Sequence, residues 1–398
     1  MNNNCRVTGC VSGFGVLAPL FHLLLLSSVF SCGSESSKSA ASANVLENVT
    51  FTVDTVLVDS GDELFILSAG LGAIALNQEK NKLLFFENEP LNLVEVDLNS
   101  LKLVRKTPFQ KEGPNGVGPY GIHFQLGTNE DLFIKGYHTQ GIFNTRGMLV
   151  ESLQVVPAGI DPALANSPHQ LYENAVFDFE NNRVISQPSS EVLKKHELYI
   201  FDPVSKQLRI EPIPEMQAVK EFVGTMVVDG MIDFFWVDSH MYIENGQLLL
   251  TAGCMSAIYR LDLTLDSLEF VDIQHKKFPN RMNFSVNNFP VEESEFIEDR
   301  KKVFEHLNYM EPRWDETRKM YLRLGRKTFL GEKRGDPLTF EVFLFVYDRD
   351  FHVLGETKIE GLNQVPVSYF WKDGKLWSYV NIEDELGFAV IDFTFSGR

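Results

Sequence analysis

Cysteine is scarce in this chain of 398 residues, with four in all, at positions 5, 10, 32 and 254. Positive charge is also short: 36 Lys and Arg face 54 Asp and Glu, a net charge of −18. An excess this acidic, with no basic stripe to offset it, argues against nucleic acid or an anionic membrane surface as partner, because both repel it. No GxSxG, Walker A, HExxH or EF-hand loop occurs, so neither serine, phosphate nor metal chemistry has a local signature. A triad assembled from distant residues would leave no such local signature. Residues 69–75, AGLGAIA, have GxGxxA spacing but no surrounding βαβ unit, and read as a tight turn between strands.

Long apolar runs are absent except at residues 11–30. That run follows a short polar start holding Arg6 and ends in Val29-Phe30-Ser31-Cys32, with an aliphatic residue at −3 and a small one at −1. This is the pattern of a lipoprotein signal, predicting cleavage before Cys32 and acylation of its thiol. A membrane-spanning helix is the competing reading on length. Gly13, Gly15, Pro19 and the lack of a Lys/Arg cluster after the run speak against it. Removing residues 1–31 takes away Arg6, the one charged side chain there, and moves the net charge from −18 to −19. Cys5 and Cys10 leave too, Cys32 carries lipid, and Cys254 is left alone. The mature chain then has no intrachain disulfide and no paired-cysteine zinc site. Residues 32–48, small and polar after the cysteine, read as a flexible tether. Directly after Cys32, in residues 33–43, the one acid is Glu35 rather than an acidic cluster, which favours a periplasmic-facing position in the cell envelope over the cell surface.

Beyond residue 48 a turn residue followed by a short apolar strand recurs six times. The units start at Asn81, Asn129, Asn181, Asn245, Thr317 and Asp373, at intervals of 48, 52, 64, 72 and 56 residues. Each is followed by a hairpin of alternating residues whose tip is Asp97, Asn144, Asp202, Asp262, Asp348 or Asp392, side chains that accept backbone N–H bonds in turns. Six such repeats predict an all-β chain, a six-bladed β-propeller over residues 49–398, since each blade needs neighbours to bury its faces. The last repeat is short of one strand, and residues 49–59, VTFTVDTVLVD, are a spare one. They are expected to complete the final blade and close the ring. An irregular pair of β-sandwiches is the alternative.

The lipobox at Cys32, the segment KEGPNGVG at 111–118, and Trp314-Asp315 followed by Tyr321-Leu322-Arg323 resemble the six-bladed, TolB-like propeller lipoproteins of Bacteroidetes. Many of these are domains of unknown function. The resemblance covers residues 49–398 and implies an envelope location and ligand or partner binding. It brings no catalytic residues.

Between the fourth and fifth repeats, residues 290–310 have the period of an inserted amphipathic helix, with Phe296, Ile297, Val303, Phe304 and Leu307 on one face. It either covers a mouth of the channel, docks a partner or packs on its own blade. Residues 229–240 gather Asp229, Asp233, Asp238 and His240. Asp238 and His240 are the metal candidates, against a reading as blade-turn carboxylates and a core histidine. Loops at one propeller face converge on the channel, and His123, Arg281, Arg313, Trp314 and Arg323 are the candidates for ligand binding there. Arg323, among apolar neighbours, needs a partner if buried. The expectation is a non-catalytic propeller that binds a small molecule, glycan or protein, held to a lipid membrane through acylated Cys32. No cofactor is predicted. The alternative is a propeller hydrolase or lyase, such as a metal-dependent lactonase, for which calcium would serve.

Overall fold

Short turns of two to five residues held by left-handed residues decide where this chain reverses. Lys80, Glu130, Asn182, Asn245, Lys319 and Asp373 all have φ between 51° and 66°, one in each predicted repeat. The structure is a computed structural model. It describes residues 44–395 apart from 69, 119–121, 137–138, 154–173, 188–195, 229 and 334. The expected signal, Cys32 and most of the tether lie outside the described residues, as does Asp229.

Strand β1 (Thr50–Leu57) comes first. Blade 1 follows as β2 (Ile74–Leu76), β3 (Lys82–Asn88), β4 (Leu91–Asp97) and β5 (Lys102–Pro108). Blade 2 is β6 (His123–Leu126), β7 (Leu132–Lys135), β8 (Gln140–Phe143) and β9 (Leu149–Ser152). Blade 3 is β10 (Asn174–Asp178), β11 (Arg183–Gln187), β12 (Glu197–Phe201) and β13 (Leu208–Pro212). A 3-10 helix (Pro214–Phe222) and a separate two-stranded ribbon, β14 (Gly224–Val228) with β15 (Met231–Phe235), intervene. Blade 4 is β16 (Ser239–Glu244), β17 (Gln247–Ala252), β18 (Ile258–Asp262) and β19 (Ser267–Val271). Helix α1 (Glu293–Glu305) leads to blade 5, made of β20 (Asn308–Asp315), β21 (Met320–Phe329), β22 (Thr339–Tyr347) and β23 (Val353–Lys358). Blade 6 is β24 (Phe370–Lys372), β25 (Lys375–Ile382), β26 (Glu385–Thr394) and, as its fourth strand, β1.

The six-bladed propeller is therefore present, and the ring closes as the spare strand predicts. Thr50 to Leu57 pair antiparallel with Thr394 to Gly387 without a slip. Every blade is an antiparallel meander, so its first strand runs from the face bearing the inter-blade connections to the face bearing the tight hairpins. At that hairpin face the predicted aspartates act as turn caps. Asp97 Oδ1 accepts from the N–H groups of Asn99 and Ser100, Asp202 Oδ1 from Val204 and Ser205, and Asp262 Oδ1 from Thr264 and Leu265. Asp348 and Asn144 do the same. Asp392 does not. It lies inside β26 opposite Thr52 and 3.2 Å from Lys375 Nζ, because blade 6 takes its fourth strand from the N-terminus and has no hairpin there.

The core sits between neighbouring blades. Leu83, Phe85 and Val94 of blade 1 pack with Phe370, Leu386 and Phe388 of blade 6, and Leu322 and Leu344 of blade 5 with Trp371 and Phe393. The folded region starts before the expected boundary at residue 49. Leu46 is fully buried in the blade 5–6 core and Val45 N donates to Leu354 O at 3.1 Å. All described elements fall in one compact unit, residues 42–398.

Helix α1 packs on the ribbon and on β21, so it is a wall of the inter-blade core. The Phe296 ring meets Phe235 at 5.3 Å between centroids, and Val303 is fully buried. Ile297 departs from the predicted face and is exposed, because the turn places Phe296 and Val303 inward and leaves Ile297 about 100° round the helix from Phe296. Phe296→Ala is expected to cost about 3–5 kcal/mol and Ile297→Ala less than about 0.5 kcal/mol in urea unfolding. Equal costs would mean that the helix is not seated through Phe296.

Candidate functional site

The first strands β2, β6, β10, β16, β20 and β24 surround a central channel of about 2320 Å³. Residues that end these strands, or sit in the turn after them, are at the hairpin face. Glu79, Lys80, Glu130, Asp178, Glu180 and Glu244 line the channel there, five acids against one lysine. The connection face is different. His123 opens β6, and Lys135 lies opposite it at the end of β7. Arg326 lies opposite Asn308, the first residue of β20. His196, Lys220 and His240 complete a ring of cationic or protonatable groups, with Asp238 and Glu311 as the acids of that half. The channel thus carries opposite charge at its two ends.

Local geometry explains each placement. In β20 the register slips between Tyr309 and Pro312, a bulge at Met310 and Glu311, and both residues line the channel. Glu311 Oε1 accepts from Arg313 Nη2 at 3.3 Å, and its other oxygen is 3.7 Å from His240 Nε2. The Arg313 guanidinium lies 4.1 Å from the Tyr242 ring centroid, a cation–π contact, while the Tyr242 hydroxyl donates to Pro312 O. Asp238 Oδ2 accepts from Arg326 at 2.7 Å. Glu244 accepts from Trp314 N at 3.0 Å and stands 4.0 Å from Lys80 Nζ across the channel.

Burial and charge split the two carboxylates. Burial alone would raise Glu311, but the neighbouring Arg313 and His240 outweigh it and hold its carboxyl below the usual range. Burial dominates at Glu244 and raises it, in spite of Arg313 and Lys80. Burial lowers His123, assisted by the Lys135 charge, and burial lowers His196 with Lys220 nearby, so both imidazoles favour the neutral form. Gln140 Oε1, Ser239 Oγ and the Tyr369 hydroxyl border this channel, buried and without a hydrogen-bond partner among the described residues.

Of the predicted binding residues the structure brings His123 and Arg313 to the channel wall, and puts three elsewhere. Arg323 is fully buried between blades 4 and 5, donating to the carbonyls of Met310, Ser256 and Met255 and stacking on Tyr309. Trp314 is buried at the hairpin face, its Nε1–H on Glu316 at 2.7 Å. Arg281 is exposed in the connection to blade 5 and bridges to Met255. Asp238 and His240 both border the channel but turn to different partners, Arg326 and Glu311. Among the described residues, the acid-and-imidazole group within reach of one ion is Asp348, Asp350 and His352, on an outer hairpin tip where Asp348 Oδ1 already caps the turn.

Sequence reasoning passed over Lys135, His196, Lys220, Arg326, Glu244, Glu311, Tyr242 and Tyr369. One signal was available: His240, Tyr242 and Glu244 are polar or amphipathic at every second place of the strand before a repeat turn, which puts them on one face.

Fold and channel define a six-bladed β-propeller with an open, charge-divided axial channel. Residues 42–358 match the domain of unknown function DUF4221, and the chain belongs to that family. A DUF4221 member from Bacteroides vulgatus has a crystal structure similar to it, at 14% identity over 87% of this chain and 99% of that one, with a TM-score of 0.60. A candidate exported protein from Bacteroides fragilis has 10% identity over 87% of this chain and 96% of that one, with a TM-score of 0.46. A protein of unknown function from Bacteroides thetaiotaomicron has 8% identity over 86% and 77%, with a TM-score of 0.42. At these identities the likeness speaks for the fold alone. No curated protein matches the chain. Among the described residues no helix is long and apolar enough to cross a membrane.

Proposed function

We propose that this protein is a cell-envelope binding module, lipid-anchored through Cys32, that takes an anionic small molecule or acidic glycan into the connection-face mouth of its channel. The observation that carries the reading is the segregation of charge. In a chain of net charge −18, three histidines, two lysines and an arginine gather with Asp238 and Glu311 at one mouth, while five acids and Lys80 line the other. A cleft of one sign with low-dielectric walls concentrates ligands of the opposite sign. Guanidinium and ammonium donors suit carboxylate or phosphate oxygens, and the unpartnered Gln140, Ser239 and Tyr369 groups suit hydroxyls.

The test is calorimetric titration with trigalacturonate, with maltotriose as the uncharged control. Lys220→Gln is expected to weaken trigalacturonate binding about tenfold, roughly 1.4 kcal/mol. Because burial lowers His123 and His196 in the free protein, a bound anion draws protons onto them. Affinity therefore rises as pH falls from 8 to 5.5, with net proton uptake, and His123→Gln flattens that slope. Binding that is indifferent to pH and to ligand charge would sink the anionic reading.

A hydrolytic reading has one observation in its favour: Glu311 and Glu244 both face Arg313 while their environments push their protonation in opposite directions. Turnover of a glycosidic or ester bond, lost in Glu311→Gln with ligand binding retained, would establish it.

A further inference from the structure

The ribbon β14–β15 has two apolar faces. One is used: Gly224 opposite Phe235 closes on Phe296 of α1. On the other, Val227 lies opposite Ile232 and Phe234 opposite Thr225, and Phe234 stacks on Trp236 at 5.0 Å. Val227, Ile232 and Phe234 are 51–68% exposed, and Trp236, 52% exposed, stands where this face meets the channel mouth. A ribbon with one face on the core ordinarily turns polar residues to water on the other. Met231 at the tip is exposed as well. Phe289 and Val291, 75% and 84% exposed, extend the surface, since Thr225 N donates to the carbonyl of Asn288 beside them. The ribbon is rigidly held. Asp233 pairs with Arg300 at 3.2 Å, and Asn288 Nδ2 donates to the carbonyls of Lys220 and Val223.

We propose that this surface seats on a phospholipid bilayer, so that the inserted ribbon and the segment around Phe289 wedge into the interface of the membrane that holds the lipid anchor. The proposal rests on the lipid-anchored reading for its setting. Where the chain enters the fold supplies the occupant. Asn44 is twelve positions beyond Cys32, a reach of about 40 Å when extended. Asn44 is bonded to the backbone of Glu356, and Glu356 Oε1 accepts from the N–H groups of Lys276 and Lys277. Those lysines begin the connection that carries Phe289, Val291 and α1. The described chain thus begins against the start of the connection that further along bears Phe289, Val291 and α1, and the length of chain back to Cys32 is enough to let that surface meet the bilayer. Stacked aromatic rings beside aliphatic side chains are the composition that settles at the headgroup boundary. The bordering Glu292, Glu293 and Glu295 and the net acidity select a zwitterionic bilayer over an anionic one.

The 33–398 chain, which contains the whole closed ring and carries no acyl chain, tests the surface directly. It is mixed with phosphatidylcholine vesicles and followed by flotation and by tryptophan emission. Trp314, Trp371 and Trp377 are buried, so an emission change reports Trp236. The expected result is co-flotation with a blue shift, weaker on phosphatidylglycerol vesicles at low salt, and a loss of partitioning of at least tenfold in the Ile232→Ser, Phe234→Ser double variant. Three results would overturn it: no flotation with unchanged emission, equal binding by the double variant, or a vesicle-independent dimer that shields Trp236. Absence of a fatty-acid mass on Cys32 of the native protein would remove the anchor and leave this readout intact, so the two failures are distinguishable.

Discussion

A chain shortened to begin at Val58 is expected to lose its cooperative thermal transition and to elute as aggregate, although it retains five complete blades and three strands of the sixth. The deletion removes β1, eight paired positions along β26, and with it the buried Leu46 and the half-buried Phe51 and Val56. Ladder hydrogen bonds at about 1 kcal/mol each, and burial at about 1.5–3 kcal/mol per large side chain, make the loss on the order of 5–10 kcal/mol. That equals the whole stability of a typical domain. The ring also opens, and β26 becomes an edge strand carrying Ile391 and Phe393, a template for pairing between chains. Circular dichroism and gel filtration read both effects, and a peptide of residues 44–57 added in trans is expected to restore the monomer. A shortened chain that melts within a few degrees of the parent would show that the closure is dispensable.

Arg323→Ala is expected to cost about 3–5 kcal/mol in urea unfolding, more than any substitution on the channel wall. The side chain is fully buried, and its removal leaves the carbonyls of Met310, Ser256 and Met255 without donors, opens a cavity and uncovers the face of Tyr309. Arg323→Lys is expected to recover only part of the loss, because one ammonium cannot reach three carbonyls in the plane of a guanidinium fork. The same variant separates structure from binding. If Arg323 positions blades 4 and 5, trigalacturonate affinity is unchanged in whatever fraction stays folded. A variant of unchanged stability and lost affinity would make it a ligand residue after all.

The blades were legible in the sequence because their signals are local. Asn245-Gly246 and Asp373-Gly374 hold the left-handed turns, Asp97, Asp202 and Asp262 cap the hairpins through their own next residues, and alternation fixes which strand faces which side. Asp392 looked like one more cap because its sequence neighbours are those of a hairpin; the partner that replaces that hairpin lies more than 300 residues away. The ribbon was missed for a related reason. Asp229, Asp233 and Asp238 suggested blade turns, whereas Gly224 and Phe235 pair and carry the segment out of the blade series.

The channel was legible only in part. His123 and Arg313 were found because each sits next to a strand boundary, and Asp238 and His240 because they cluster. Lys135, His196, Lys220 and Arg326 come from four separate stretches, each unremarkable on its own. Sequence alone determined six repeats, a closing strand, an inserted helix and an acidic chain, since turn conformation and strand alternation act over a few residues. Tertiary structure decided that Arg323 and Trp314 are buried supports, that the two ends of the channel carry opposite charge, and that a ribbon leaves one apolar face uncovered. Those properties depend on which of six similar blades stand side by side around the axis and which side chains meet across it, and burial and electrostatic interaction act through space between residues far apart in the chain.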